Sequence, residues 1–139
     1  MKALAASAPC PCGRPAGRGK TAKALAFGDC CGRWLDGGAV PPDAESLMRS
    51  RYSAFVLERA PYLLQSWAAG HRPASIAFDE GVKWLGLEVR SHQPTGETTA
   101  EVEFVARQKP VHGPAVRLHE RSGFVLEDGH WLYVAGDAL

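Results

Sequence analysis

The sequence predicts an α+β fold, with two helices packed on a curved antiparallel sheet of four strands and a small cysteine-rich knuckle ahead of them. Three observations carry this. All four cysteines lie within residues 10–31. Apolar residues recur at spacings of three and four from Asp43 to Trp67. From Lys83 onward the apolar period changes to two.

The cysteine segment comes first. "CPCGRPAGRGKTAKALAFGDCC" contains "GRGKT", the end of a phosphate-binding loop, but Gly13 and Gly19 are separated by five residues where that loop needs four. "CPC" also stands where a hydrophobic strand should lead in, so the segment is not expected to bind nucleotides. Cys10 and Cys12, with Cys30 and Cys31, form two close pairs of soft ligands suited to a tetrahedral zinc ion. Gly13 and Gly32 follow the pairs, where tight turns favour glycine. Clustering of this kind fits a metal site rather than a secreted disulfide scaffold.

The net charge of +1 is uneven, with +4 over residues 1–38 and −3 over the rest. Arg14, Arg18, Lys20 and Lys23 have two readings: neutralising a zinc–thiolate centre, or contacting nucleic acid or the ribosome. No stretch approaches the roughly 18 apolar residues of a membrane span, and no signal-peptide core precedes Pro9. A cytoplasmic protein with reduced thiols, not associated with membrane, is expected.

"LDGGAVPPD" (residues 35–43) separates the knuckle, residues 1–38, from a main domain, residues 39–139. Asp43 is placed to cap a helix in which Leu47, Met48, Tyr52, Phe55 and Val56 make one apolar face. Pro61 starts a second helix that runs to Gly70. Four strands are predicted over residues 83–92, 99–108, 115–127 and 130–137, the last two joined by the hairpin signal Asp128-Gly129. Such a meander can curl around a helix and leave a cavity between them.

In the third strand Val116, Leu118, Glu120, Ser122, Phe124 and Leu126 share a face by parity, which places a carboxyl among apolar groups. Glu120 is expected either to pair with an arginine or to serve as a pocket acid. Arg51 is the expected partner because it lies on the i, i+4 row of Leu47 and Phe55, which turns Arg49 outward. Trp67, Trp84, Trp131 and Tyr52 are expected in the core or pocket wall, and the five histidines form no metal-ligand spacing.

The cysteine pairs resemble a SEC-C motif, the small zinc module found at the C-terminus of the SecA translocation ATPase. "LMRSRYSAFVL", "YLLQSW", "WLGLEV", "VEFVAR" and "ERSGFVLEDGHWLYVAGD" resemble the YchJ-like family of bacterial proteins, so the likeness covers nearly the whole chain. The resemblance implies a SEC-C motif joined to a nuclear-transport-factor-2-like cone, with zinc on Cys10, Cys12, Cys30 and Cys31, and no established reaction. The 17 residues between Cys12 and Cys30 are about twice the motif's usual length. The functional expectation is a zinc-binding protein-interaction or ligand-binding module, with the knuckle docking a protein partner or ribosomal RNA and the cone serving as scaffold or as a small-ligand pocket. The alternative is an isomerase- or hydrolase-type enzyme using Glu120.

Overall fold

The computed structural model describes residues 1–19 and 22–139. After the knuckle, which ends in the short helix α1 (Gly32–Leu35), come α2 (Ala44–Val56), α3 (Ala60–Gln65) and four strands. The strands are β1 (Lys83–Pro94), β2 (Thr99–Lys109), β3 (Val116–Glu127) and β4 (His130–Ala138), in one antiparallel sheet of order β1-β2-β3-β4. All four strands fall within one or two residues of the boundaries that the period of two predicts.

Local chemistry sets the ends. Asp43 stays extended, and its side chain accepts from the Ser46 amide at 2.7 Å, satisfying one of the free donors of the first turn of α2. Asp128 and Gly129 turn the β3–β4 hairpin with φ of 50° and 78°, the left-handed pair that a tight two-residue turn requires.

Three bulges shape the sheet. Leu85 and Arg90 are extra residues in β1 against β2, and Val134 is extra in β4 against β3. A bulge sharpens local twist and bends its strand, and the sheet curves so that α2 packs against β1, β2 and β4. Val116, at the start of β3, is 40% exposed and leaves the inward face that parity predicted for it.

Helix α2 departs from expectation in its surroundings. Its apolar row faces the sheet as predicted, but Ser46, Arg49, Ser50, Arg51 and Ser53 are buried as well. The knuckle lies on the side that reads as a solvent face, and one continuous core joins Cys12, Phe27 and Trp34 to Leu47, Tyr52 and Phe124. Small serines allow that close approach, and their hydroxyls are satisfied locally: Ser50 Oγ donates to the Leu47 carbonyl at 2.7 Å and lies 2.6 Å from Tyr62 Oη. The N-terminus is tied down too, because the Lys2 amide donates to the Leu57 carbonyl at 2.8 Å.

The second helix stops at Gln65, short of the predicted end at Gly70. Tertiary pairing ends it. The Tyr133 amide donates to the Ser66 carbonyl and the Ala68 amide to the Tyr133 carbonyl, each at 2.8 Å, so residues 66–68 run as a strand fragment beside β4. No helix among the described residues is long and apolar enough to cross a membrane.

Candidate functional site

Two sites emerge, one on each side of α2. In the first, the Sγ atoms of Cys10, Cys12, Cys30 and Cys31 all lie within 4.8 Å of one another and are buried. Cys10 and Cys12 are 3.6 Å apart, as are Cys12 and Cys30. These separations are far longer than a disulfide bond of about 2.05 Å. They fit the edges of a metal–sulfur tetrahedron, which are about 3.8 Å when each Zn–S bond is about 2.3 Å. The donor set therefore suits a thiophilic divalent cation.

Without a cation, four buried thiols at contact distance cannot all ionise. Hydrogen bonds from Cys12, Cys30 and Cys31 pull Cys10 well below the usual thiol range. For Cys12 the bond with Cys10 acts upward, but those from Cys30 and Cys31 outweigh it and hold the thiol at about 7. Cys30 and Cys31, which give their protons to these bonds, are pushed up. A bound cation would displace the remaining protons, so loading is coupled to pH.

Of the four basic residues with two readings, Arg14 turns to α2 and the others that are described face solvent. Arg14 donates to Ser46 Oγ at 3.1 Å and to Glu45 at 3.2 Å, tying the knuckle to the start of α2. Arg18 and Lys23 are exposed, and Lys20 lies outside the described residues. The guanidinium beside the thiols is that of Arg49, expected to face outward. It is 9% exposed and donates to Glu45 at 2.8 Å and to the Cys12 carbonyl at 3.2 Å, with Cys12 Sγ 3.9 Å away. Burial alone would lower its pKa, but the Glu45 carboxylate and the Cys12 sulfur outweigh that and raise it. Ser53, 3.7 Å from Cys10 Sγ, completes this side, a role that nothing in its sequence surroundings signals. Glu45, one turn before Arg49, was the available signal.

The second site is a cavity of about 350 Å³ between α2 and the concave sheet. Arg51, Tyr52, Glu120 and Ser122 all line it, among a mainly aromatic wall that includes Trp67, Trp84 and Tyr133. Tyr52 packs edge-on to Trp84 with ring centroids 5.5 Å apart. Burial raises its hydroxyl to about 12, with the Gly86 amide opposing.

The expected ion pair between Glu120 and Arg51 does not form among the described residues. Arg51 Nη1 instead donates to the Leu63 carbonyl at 2.8 Å and to Ser66 Oγ at 2.7 Å. Its guanidinium lies 5.0 Å from the centre of the Trp67 ring and 4.6 Å from that of Tyr133. Unpaired carbonyls at the end of α3 draw it there, a pull that strand parity could not register. Burial brings Arg51 down to about 10, and burial raises Glu120 above the usual carboxyl range. On the opposite face of β3, His119 and Arg121 lie at 2.8 and 3.5 Å from Glu103.

Comparison with known proteins agrees with this geometry. The family described as "YchJ, middle NTF2-like domain" matches residues 43–136. A UPF0225 protein of Polaromonas sp. is 64% identical over 97% of this chain and 96% of its own length. Another, from Methylibium petroleiphilum, is 54% identical over 93% of this chain and 88% of its own. The crystal structure of a SEC-C motif containing protein from Psychrobacter arcticus superposes with a TM-score of 0.76 at 29% identity, covering 94% of this chain and 82% of that one. The solution structure of a second, from Rhodopseudomonas palustris, gives 0.73 at 30% identity, covering 84% and 94%.

Proposed function

The chain belongs to the YchJ family of NTF2-like domains, and on that premise we propose that it is a zinc-clasped module that binds a small ligand in its cone. Residues 1–38 form the clasp and residues 39–139 the binding domain, acting in the cytoplasm where thiols stay reduced. The cavity carries this reading: about 350 Å³ bounded by aromatic rings, lined by Arg51 and Glu120, neither of which has an oppositely charged partner among the described residues. A domain that served only as scaffold would fill such space with side chains.

Zinc on Cys10, Cys12, Cys30 and Cys31 has a structural role. The cysteines are sealed, which leaves no open coordination position for chemistry. Arg49 offsets part of the charge of the zinc–thiolate centre and joins it to α2. The exposed Arg18 and Lys23 are the side chains the knuckle offers a protein or nucleic-acid partner.

A second reading, acid–base chemistry at Glu120, is favoured by one observation, its unpaired carboxyl with a raised pKa inside a cavity. Two measurements test the main proposal. Native mass spectrometry should find one zinc per chain, with all four thiols protected from alkylation until the metal is chelated. Titrating small aromatic compounds of mixed charge into the zinc-loaded protein should shift the indole resonances of Trp67 and Trp84. Metal-free protein, or a series in which no compound moves those resonances, would overturn the corresponding half.

A further inference from the structure

Resting on the pocket reading above, we infer that the ligand is a small, flat, apolar carboxylic acid, bound as its anion with the carboxylate on the free edge of the Arg51 guanidinium. The cavity extends from that guanidinium to Gly136. Gly136 sits opposite Ser122 in the β3–β4 ladder, so a side chain there would point into the cone. A Cβ at Gly136 would lie 2.9 Å from Ser122 Oγ, 3.3 Å from Tyr133 Oη and 3.5 Å from Glu120 Oε2. Three oxygens thus converge on a space that glycine leaves free, and none makes a hydrogen bond of its own to a described residue.

The balance of donors and acceptors selects the ligand. Arg51, 6% exposed, spends only Nη1 on the protein, so Nε and Nη2 have no protein acceptor among the described residues. Ser122, 3% exposed, has a hydroxyl free to donate, as does Tyr133. Trp67, whose ring lines the cavity, has its Nε1 sealed from it, the single fully buried polar side-chain atom without a partner among the described residues. Donors therefore outnumber the one obligate acceptor, Glu120, and a buried guanidinium without a carboxylate calls for an anion. Tyr133 links the two halves of this surface: its ring carries the Arg51 guanidinium at 4.6 Å and its hydroxyl reaches the Gly136 space. The remaining wall is apolar and aromatic, which suits a planar body. At about 30 Å³ for each water-sized atom, a cavity of about 350 Å³ holds on the order of a dozen heavy atoms.

Isothermal titration of the zinc-loaded full chain with 3-phenylpropanoate, 3-phenylpropan-1-ol and 3-phenylpropylamine tests the inference, because the three share a body and differ in the head group. The carboxylate should bind at least about tenfold more tightly than the alcohol or the amine. Glu120→Gln should tighten it by removing a like charge, and Gly136→Ala should weaken it about tenfold or more by narrowing the cavity. Arg51→Met should abolish it. If that variant does not fold, Gly136→Ala and Glu120→Gln carry the test, since neither position supports another element through a hydrogen bond. Equal affinity for all three, or an amine that binds best and loses affinity in Glu120→Gln, overturns the carboxylate assignment and leaves the pocket reading standing. No binding by any of the three, with no compound of the wider series moving the indole resonances, overturns both.

Discussion

Replacing Arg49 with Met asks how firmly the cysteine segment is held to α2. The substitution keeps the hydrocarbon stem and removes a guanidinium that is 9% exposed. Glu45 loses a 2.8 Å partner but keeps Arg14 at 3.2 Å, and an i, i+4 ion pair of this kind contributes about 0.3–0.5 kcal/mol. The Cys12 carbonyl fares worse. It sits in a residue with 0% exposure, and Arg49 at 3.2 Å is its only donor among the described residues. A hydrogen bond to a charged group contributes about 1.5–3 kcal/mol, and most of that is lost when the remaining partner stays buried. Arg49→Met should therefore cost about 2–3 kcal/mol, equivalent to a drop in Tm on the order of 10 °C for a chain of this size. Urea denaturation at equal metal loading would measure it, with Glu45→Gln and the double variant closing a cycle. The coupling between the two should stay below about 0.5 kcal/mol, because the carbonyl and not the carboxylate dominates. A single variant within about 0.5 kcal/mol of the parent would refute the reasoning, since the contact would then not hold the clasp.

Two further outcomes follow from the same geometry. Burial raises the pKa of Glu120, so the folded chain binds that proton more tightly than the unfolded chain. Its contribution to stability is present below the ordinary carboxyl pKa of about 4.3 and is lost as pH rises through the folded value. Glu120→Gln escapes that loss, so its urea midpoint should gain on the parent's between pH 5 and pH 7.5; a variant less stable at neutral pH would point to an ionic partner for Glu120. Asp43→Ala removes the cap that accepts from the Ser46 amide and should cost about 1 kcal/mol by denaturation, with Asp43→Asn retaining most of it.

Local signals made much of the fold legible. The strands could be read because burial on one face imposes a period of two, and the Asp128-Gly129 turn because few residue pairs accept two left-handed conformations in a row. The cysteine pairs stood out because metal ligands cluster in sequence. What remained hidden depends on contacts between distant segments. Ser46, Ser50 and Ser53 look like a solvent face, yet the knuckle meets Ser46 and Ser53, and Tyr62 of α3 meets Ser50. Arg51 sits on the row that aims it toward the cavity, but sequence spacing carries no record of the Leu63 carbonyl and Ser66 hydroxyl that capture its Nη1. The shortened second helix has the same origin, since Tyr133 lies 66 residues beyond the Trp67 it bridges. Glu120 was correctly aimed into the cone, but whether it found a counter-charge depended on where Arg51's other bonds lay.

The sealing of the cysteine cluster would also govern how fast the proposed ion could come and go. Cys12, Cys30 and Cys31 have no exposed surface and Cys10 has 3%, so no competing ligand can reach an ion between them while the segment stays docked. Exchange must wait for the segment to lift from α2, and that opening has its own free energy, separate from the affinity of four thiolates for the ion. If the four thiols hold the zinc proposed above, release would proceed at the rate of opening, first order and indifferent to the concentration of the species that captures the ion. The Arg49 and Arg14 contacts would then act as a latch that sets the residence time.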